Sequence, residues 1–347
     1  MAIPGLGVNS WIQIKKETVY GTPIVGNYNK IPHRNVDYAA DTTFLESDAI
    51  TTSGSRAAVH PGIISYAGPL TCEVGYEGMD QLFNNMLGKS TASTPTGGTT
   101  TRDKWHEVIA APPSYTHEVN YGDIPADDKV FIFVGCYMES LEISLTAPGY
   151  LQFSAGIVPW KETSTASTGS TAQTTAATYT HRPVPTYHAT IYDLGPGSAT
   201  TYCLTSGRIR MTRPVKRDRA CLGAATAKEA IIVGLFDVNC EFEVEFSDRA
   251  IYDDFVAKTL QTTGQLKFVS DEVIEGALKY EIEFKFPRFY LIGPATPTID
   301  GAAEIKQRFG FRGFGTGGTG AAGTPDETST KEPIAIRTRN TILTTAY

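Results

Sequence analysis

Alternating apolar and polar residues mark most of the secondary structure in this chain. The clearest run places Val238, Cys240, Phe242, Val244 and Phe246 on one side and Asp237, Asn239, Glu241, Glu243 and Glu245 on the other. Because successive side chains of a strand point to opposite faces, this run predicts a half-buried strand. The same alternation predicts strands at residues 62–74, 141–145, 151–155 and 279–286, and the apolar run at 130–134 predicts a buried strand.

Two segments have the spacing of short helices instead. Residues 79–88 end at Gly88, and glycine readily adopts the left-handed backbone of a helix C-terminus. Residues 250–260 have a similar pattern. Together with the strands, these segments predict a fold that is all-β with minor α.

An order of signals, namely arginine, glycine, strand cysteine and helix, occurs twice along the chain. Its members are Arg56, Gly68, Cys72 and residues 79–88 in the first half, and Arg219, Gly234, Cys240 and residues 250–260 in the second. The separation grows from 163 residues at the arginines to 166 at the glycines and 168 at the cysteines, as small loop insertions in a duplicated domain would produce. Coincidence is the alternative, because the halves match in pattern more than in identity. Duplication predicts that residues 34–160 superpose on residues 203–312.

Composition divides the chain into five parts. We expect an N-terminal arm at 1–35, a first β domain at 36–160, a Ser/Thr-rich linker or loop at 161–200, a second β domain at 201–314, and a Gly/Thr-rich linker with a C-terminal arm at 315–347. Residues 42–60 are predicted to form a long polar loop. Loops and arms of this length are usually functional, so we expect them to bridge neighbouring molecules. Deleting residues 334–347 should then block assembly and leave a folded monomer.

Charge and cysteine content exclude several classes of function. The net charge of −7 disfavours a nucleic-acid-binding surface, which needs clustered Lys and Arg. The N-terminus lacks the features of a signal peptide, and the longest apolar run, at 130–138, is too short to span a membrane. The odd cysteine count and the absence of CxxC predict buried free thiols rather than a disulfide framework or zinc ribbon. The five cysteines are Cys72, Cys136, Cys203, Cys221 and Cys240.

No motif indicates catalysis, a metal or a cofactor. The six histidines form no HxxxH or HxH pair, so no metal site is expected. The glycine-rich run at 315–320 lacks the lysine and the following helix of a phosphate loop, and no GxSxG motif occurs. We therefore expect a protein that is not an enzyme and that uses no cofactor.

Three carboxylates stand out on the clearest strand. Glu241, Glu243 and Glu245 share one face at spacings of about 7 Å, within a Debye length of about 8 Å, so their charges repel. The simpler interpretation is the solvated face of a half-buried sheet. The functional interpretation is a negative wall that does not hold a polyanion.

The opening residues resemble a known family most closely. Residues 11–23 contain the run Glu17-Thr18-Val19-Tyr20-Gly21-Thr22, similar to a Glu-Thr-x-Tyr-Gly-Thr run that is common near the start of tail tube proteins of long-tailed bacteriophages. The strand and helix around residues 68–88, the strand pair at 135–153 and the second strand and helix fit the same order. The resemblance covers residues 10–315, and the Thr-rich segments and the Gly-rich 315–330 depart from it.

The resemblance implies a structural subunit of a tail tube. In that family, flattened β-barrel or sandwich domains with a flanking helix form rings, and the rings stack into a hollow conduit for genome delivery. A duplicated chain resembles members that form trimeric, pseudo-hexameric rings. Glu241, Glu243 and Glu245 would then face the lumen.

The resemblance also implies partners and a location. The partners are further copies of the chain, the tape measure protein, tail-end proteins and double-stranded DNA that passes through the lumen without specific binding, with no role for a membrane. The location is the virion tail, after synthesis in the host cytoplasm.

Two other interpretations of a β-rich chain stay open at this point. One is another virion component, such as a capsid-decorating or tail-terminator protein, which would not form filaments. The other is a carbohydrate-binding or adhesin-like sandwich, which needs exposed aromatic platforms; the 17 tyrosines and 16 phenylalanines are compatible with it.

Overall fold

The fold is built mainly from strands. A computed structural model describes residues 9–24, 28–48, 59–90, 94–95, 100–121, 130–163, 180–194, 203–217, 219, 221, 228–262, 264–293, 295–299, 305–315 and 332–342. Two short helices accompany the strands in these residues, so the predicted all-β fold with minor α is confirmed. Within the same residues no sheet closes into a barrel, and open sheets enclose one continuous hydrophobic core.

The secondary structure of the described residues follows in chain order. The first half contains β1 (Trp11–Lys16), β2 (Asn29–Ile31), β3 (Asn35–Val36), β4 (Ala39–Glu46), β5 (Val59–Glu73), α1 (Asp80–Leu87), β6 (Gly88–Ser90), β7 (Thr94–Pro95), β8 (Arg102–Val108), β9 (Tyr115–Asn120), β10 (Val130–Thr146), β11 (Gln152–Val158) and β12 (Lys161–Thr163). The second half contains β13 (Ala189–Asp193), β14 (Leu204–Thr212), β15 (Val215–Lys216), β16 (Ile231–Ile232), β17 (Asp237–Glu245), α2 (Ala250–Ala257), β18 (Gly264–Glu275), β19 (Leu278–Phe286), β20 (Phe289–Ile292), β21 (Pro297–Thr298), β22 (Lys306–Gly313) and β23 (Ala335–Asn340).

The larger sheet joins the two halves of the chain edge to edge. Four strands of the first half lie in the order β3, β5, β11, β10, with β4 following β3 along the same side of β5, and four strands of the second half continue in the order β14, β17, β22, β20. In each set, the strand that precedes a helix (β5 before α1, β17 before α2) pairs with β11 or β22. The sets meet in the antiparallel pair β10–β14, where Leu141 lies opposite Met211. One strand order therefore occurs twice within one sheet.

The C-terminal strand lies inside the fold. A second sheet runs in the order β13–β18–β19–β23–β8–β6, so β23 separates β19 of the second half from β8 of the first. Ile334 and Ile336 are fully buried. The expectation of a C-terminal arm outside the core is wrong for Ala335–Asn340, because both edges of this strand pair within the same chain. Residues 316–331 and 343–347 lie outside the described part.

The N-terminal segment also belongs to the core. β1 pairs with β2 on one side and with β9 on the other, and Ile12 and Ile14 are fully buried. The expectation that residues 1–35 form an arm is therefore wrong for Trp11–Lys16. The apolar alternation there is only a few residues long, and the surrounding Gly, Pro and Asn conceal it.

A buried carboxylate ties this segment to β10. The donors to Glu17 are the backbone N–H groups of Gly21 and Gly135, each at 2.8 Å, and the hydroxyls of Ser114 and Thr116, at 2.6 and 3.0 Å. Both glycines have left-handed backbones, with φ of 67° and 66°, and a side chain on either would collide with Trp160. The Glu-Thr-x-Tyr-Gly-Thr run thus fixes a bend in the longest strand.

That bend explains why β10 is one strand where two were predicted, at 130–134 and 141–145. Its pairing register shifts near Gly135 and again before Ser140. The strand bends at these irregularities without ending, so its first part pairs with β9 and its second part with β11 and β14. The predicted hairpin across residues 147–150 is confirmed.

The stretch predicted as a long polar loop, residues 42–60, contains parts of two strands. Residues 42–46 belong to β4 and residues 59–60 begin β5. Most residues of β4 are exposed, so no buried face marks its period and sequence alternation cannot reveal it. Residues 49–58, with Arg56, lie outside the described part.

Both predicted helices are present but differ in burial. Every residue of α1 is buried, and Gly88 ends it with φ of 101°, as expected for a glycine after a helix. In α2 only Ile251 is buried, and Lys258 ends the helix with φ of 52°. The first helix therefore packs within the hydrophobic core, whereas the second lies at the surface.

Candidate wall, stacking and edge surfaces

One face of the larger sheet is polar across β10, β14, β17 and β22. On β17, the buried residues Val238, Cys240, Phe242 and Val244 alternate with Asp237, Asn239, Glu241, Glu243 and Glu245. The predicted strand and its two faces are therefore present. The three glutamates that the sequence singled out lie together on the polar side.

Basic residues on the neighbouring strands contact these glutamates. Arg208 of β14 donates to Glu241 at 2.6 Å. Arg308 and Lys306 of β22 donate to Glu243 at 2.7 and 3.1 Å, and these bonds hold the pKa of Glu243 below its ordinary value. The polar face therefore carries charges of both signs, because β14 and β22 place cations beside the glutamates of β17, and the position of these glutamates at a lumen stays a prediction.

The same arrangement extends along the face. Arg312 donates to Asp237 at 2.6 Å, and Glu245 lies opposite Lys306 in the β17–β22 register. Sequence reasoning identified the acids and missed the bases, although the alternation at 306–312 places basic residues on one face. Local alternation does not show that β17 pairs with β22, because their contacting residues are about 65 positions apart in the chain.

A hairpin of β4 with the first part of β5 projects from one end of the sheet. Residues 59–67 pair with β4, whereas the pairing of β5 with β11 begins at Gly68. Nine residues of strand extend about 30 Å. Phe44, Leu45 and Ile64 on this hairpin are 62, 65 and 41% exposed. The hairpin therefore presents apolar side chains to its surroundings.

A second hairpin connects β14 to β17. Its two sides pair through β15 and β16, and Val233 donates its backbone N–H to the carbonyl of Pro214 at 3.0 Å. Ile231, Val233 and Leu235 are 37, 54 and 91% exposed. Because each neighbouring pair from β5 through β11, β10 and β14 to β17 is antiparallel, β5 and β17 run in the same direction. The two hairpins therefore leave the sheet at the same end.

The larger sheet has an edge on each side. Among the described strands, the β5 branch of the sheet ends in β3 and β4, the β9–β1 branch ends in β2, and the opposite side ends in β20 and β21. Beside β20, an open groove of about 690 Å³ is lined by Tyr290, Ile292 and the α2 residue Val256, which are 42, 43 and 60% exposed. Strand edges with exposed apolar neighbours are places where another strand can be added.

Potential metal ligands and cysteine thiols are both present in the described part of the chain. There, no group of three or more His, Cys, Asp or Glu side chains is arranged to hold a metal ion. All five cysteines are free. Cys72, Cys136 and Cys240 are buried as predicted, whereas Cys203 and Cys221 are exposed, contrary to the prediction. Burial raises the pKa of the Cys72 thiol to about 12, so it stays protonated and unreactive at neutral pH.

Among the residues described, no helix has both the length and the apolar character that crossing a membrane requires.

Comparison with known proteins supplies the family. A search of curated proteins finds no significant match. A family model described as phage tail tube protein matches residues 7–313. The match contains the Glu17 motif, both four-strand sets and both hairpins, and it ends before β23. Because it covers most of the chain, the protein belongs to the phage tail tube protein family, whose members are structural components of the virion tail.

Proposed function

We propose that this chain is the repeating structural subunit of a phage tail tube and that three copies form each ring. The observation that carries the ring proposal is the strand order that occurs twice, as β3, β5, β11, β10 and as β14, β17, β22, β20. The repeat supports a duplicated domain. Three chains would then supply six similar units and close a ring with the character of a hexamer.

In this proposal the polar face of the larger sheet lines the lumen. The larger sheet carries the repeated strand order, so it is the sheet that can continue around a ring. Glu241, Glu243 and Glu245 would face passing DNA with Arg208, Lys306 and Arg308 beside them. In such a wall the glutamates pair with the neighbouring cations. Few cations then remain to bind DNA phosphates and release counterions.

The two hairpins are proposed to stack one ring on the next. They leave the same end of the sheet and each exposes three large apolar residues. Stable interfaces usually bury more than about 1,000 Å², and six hairpins per ring would provide much of that area. The segment at 42–60, which was predicted to bridge neighbouring molecules, overlaps the first of these hairpins, so its bridging role remains part of the proposal.

The further partners in this proposal are the tape measure protein, tail-end proteins and double-stranded DNA, which passes without specific binding. Synthesis in the host cytoplasm precedes assembly. Membership of the tail tube family supports a structural, non-enzymatic role.

Charging the hairpins is expected to prevent tube growth without unfolding the subunit. Phe44→Asp with Leu45→Asp, or Val233→Asp with Leu235→Asp, places charges in the proposed ring-to-ring contact. Exposed positions usually change the free energy of unfolding by about 0.5 kcal/mol or less. Electron microscopy of concentrated protein should show tubes for the unmodified chain and none for either variant, and thermal unfolding should be nearly unchanged.

Tyr187→Asp supplies the control, since Tyr187 is 77% exposed and lies outside both hairpins. That variant should form normal tubes. Normal tubes from both hairpin variants would disprove the stacking role, and an unmodified chain that never forms tubes would disprove the tube function.

Removing the three carboxylates is expected to make the lumen bind DNA. Glu241→Gln, Glu243→Gln and Glu245→Gln together remove the carboxylate partner of Lys306 and Arg308, and leave Arg208 with only the longer contact to Glu142 at 3.9 Å. Each freed cation can contact a phosphate and release counterions, so tubes of this variant should retain short duplex DNA in a salt-dependent way. In the matched control, Arg208→Gln, Lys306→Gln and Arg308→Gln, no retention is expected. Equal retention by both variants, or by neither, would place the polar face away from the DNA path.

A further inference from the structure

The repeated strand order assigns equivalent residues to the two halves. The cross-strand row in the first half is Cys72, Phe153 and Ile143, and in the second half it is Cys240, Phe311 and Leu291. The edge strand β20 therefore occupies the position that β10 occupies in the first set. One step earlier on each strand, Glu142 corresponds to Tyr290.

The opposite sides of the two sets correspond in the same way. Leu70 and Val238 each lie two residues before the cysteine of their row. Leu70 lies opposite Val36 of β3, and Val238 lies opposite Met211 of β14. The edge strand β3 is therefore equivalent to β14, and Asn35 corresponds to Arg210.

The chain contains one junction between sets, and its register is known. In β10–β14, Leu141 lies opposite Met211 and Glu142 lies opposite Arg210. Replacing each residue by its equivalent gives the junction between chains. We propose that β20 of one chain pairs antiparallel with β3 of the next, with Phe289 opposite Val36 and Tyr290 opposite Asn35. This inference rests on the ring proposed above.

The directions of the backbone groups agree with this register. Phe289 exchanges hydrogen bonds of 3.0 and 3.1 Å with Gln261, on the side of β20 away from β22. Asp37 donates its N–H to Pro69 of β5, so the backbone groups of its neighbour Val36 point away from β5. Phe289 and Val36 thus both present their N–H and C=O groups to the junction, as a hydrogen-bonded antiparallel pair requires.

The side chains agree as well. Tyr290 is 42% exposed and Asn35 is exposed, so both lie on the polar face, whereas Phe289 is fully buried and Val36 is partly buried against the core. A shift of one residue would exchange these faces. The proposed register keeps the polar wall and the core continuous across the junction.

Gln261 occupies the junction in the single chain. Its backbone takes the two hydrogen bonds of Phe289, and its side chain donates to Asp254 at 2.8 Å. In the first set the equivalent position of the edge is filled by Met211 of the next set. Gln261 therefore covers the edge of the free subunit and withdraws when the next chain pairs, which limits pairing before assembly.

A disulfide across the junction tests the register. Tyr290→Cys and Asn35→Cys are combined with Cys203→Ser and Cys221→Ser, which remove the two exposed thiols. Tyr290 and Asn35 would form a non-hydrogen-bonded pair, with Cα atoms about 4.5 Å apart, within the range that a disulfide spans. Tubes assembled with reductant and then oxidised should give covalent dimers and trimers, and no larger species, on a denaturing gel without reductant.

The matched control moves one cysteine by two residues, as Tyr290→Cys with Asp37→Cys. Asp37 is exposed on the same face, so this pair tests register alone. It should remain monomeric under the same conditions. Cross-links in the shifted pair only, or in neither pair within intact tubes, would overturn the proposed junction. Cross-linked species up to six chains would uphold the junction and contradict the three-chain ring, and failure of the unmodified chain to form tubes would contradict the tube function itself.

Discussion

Truncating the chain before Pro333 is expected to abolish folding and not only assembly. β23 pairs with β19 and β8, so its removal exposes two strand edges in the middle of a sheet. Ile334 and Ile336 are fully buried, and the loss of one buried isoleucine side chain costs about 2–5 kcal/mol. Two such losses, with both hydrogen-bonded ladders, approach the roughly 5–15 kcal/mol by which domains are stable. Circular dichroism and the yield of soluble protein measure the effect.

A shorter truncation is the matched control. Stopping after Ile342 removes residues 343–347 and leaves β23 intact, so a cooperative thermal transition should remain. Ile336→Ala should lower the free energy of unfolding by about 2–5 kcal/mol in the full chain. A long truncation that stayed folded and monomeric would instead support a C-terminal arm that acts between subunits.

Asp80→Ala is expected to destabilise the protein by about 3–5 kcal/mol, because it leaves a buried cation without its partner. Asp80 begins α1 and accepts hydrogen bonds from Lys104 of β8 and, at 2.6 Å, from Thr338 of β23. Lys104 is fully buried. The cluster thus connects the first helix to the C-terminal strand. Urea unfolding of the variant measures the loss.

An exposed ion pair provides the comparison for this variant. Glu241→Ala removes the shorter of the two ion pairs of Arg208, in which both side chains are exposed, and a loss of no more than about 1 kcal/mol is expected. Combining Asp80→Ala with Lys104→Met should recover part of the loss, because no charge is then buried alone. Equal losses for Asp80→Ala and Glu241→Ala would show that the buried cluster is not a special source of stability.

The carboxylate of Asp80 also makes the free energy of unfolding depend on pH. Burial by itself would raise the pKa of Asp80, but Lys104 and His106 outweigh burial and hold the pKa well below its ordinary value. In the unfolded chain an aspartate titrates near pH 3.9. The stabilisation is therefore complete above about pH 4 and is lost only as pH falls towards the lower folded value. The stability difference between the unmodified chain and Asp80→Asn should be constant from pH 7 to 5 and shrink in stronger acid.

Local patterns predicted the strands and helices that have one buried face. The strand at 237–245, the strand at 278–286 and both helices were found close to their predicted positions. Trp11–Lys16 and β4 were missed, whereas most of β5 lies within the strand predicted at 62–74. The period of β1 is too short to recognise, and the first hairpin has few buried residues to create one.

Residue order and alternation are enough to establish the all-β class, the repeated order of arginine, glycine, cysteine and helix, and the face on which Glu241, Glu243 and Glu245 lie. These are local properties, because side chains alternate along each strand. Which strands pair across the halves becomes visible in the folded chain alone. That pairing puts Arg208 and Arg308 beside the glutamates and encloses β23 between β19 and β8. Contacts between residues so distant in the chain depend on the whole core, and no local period encodes them.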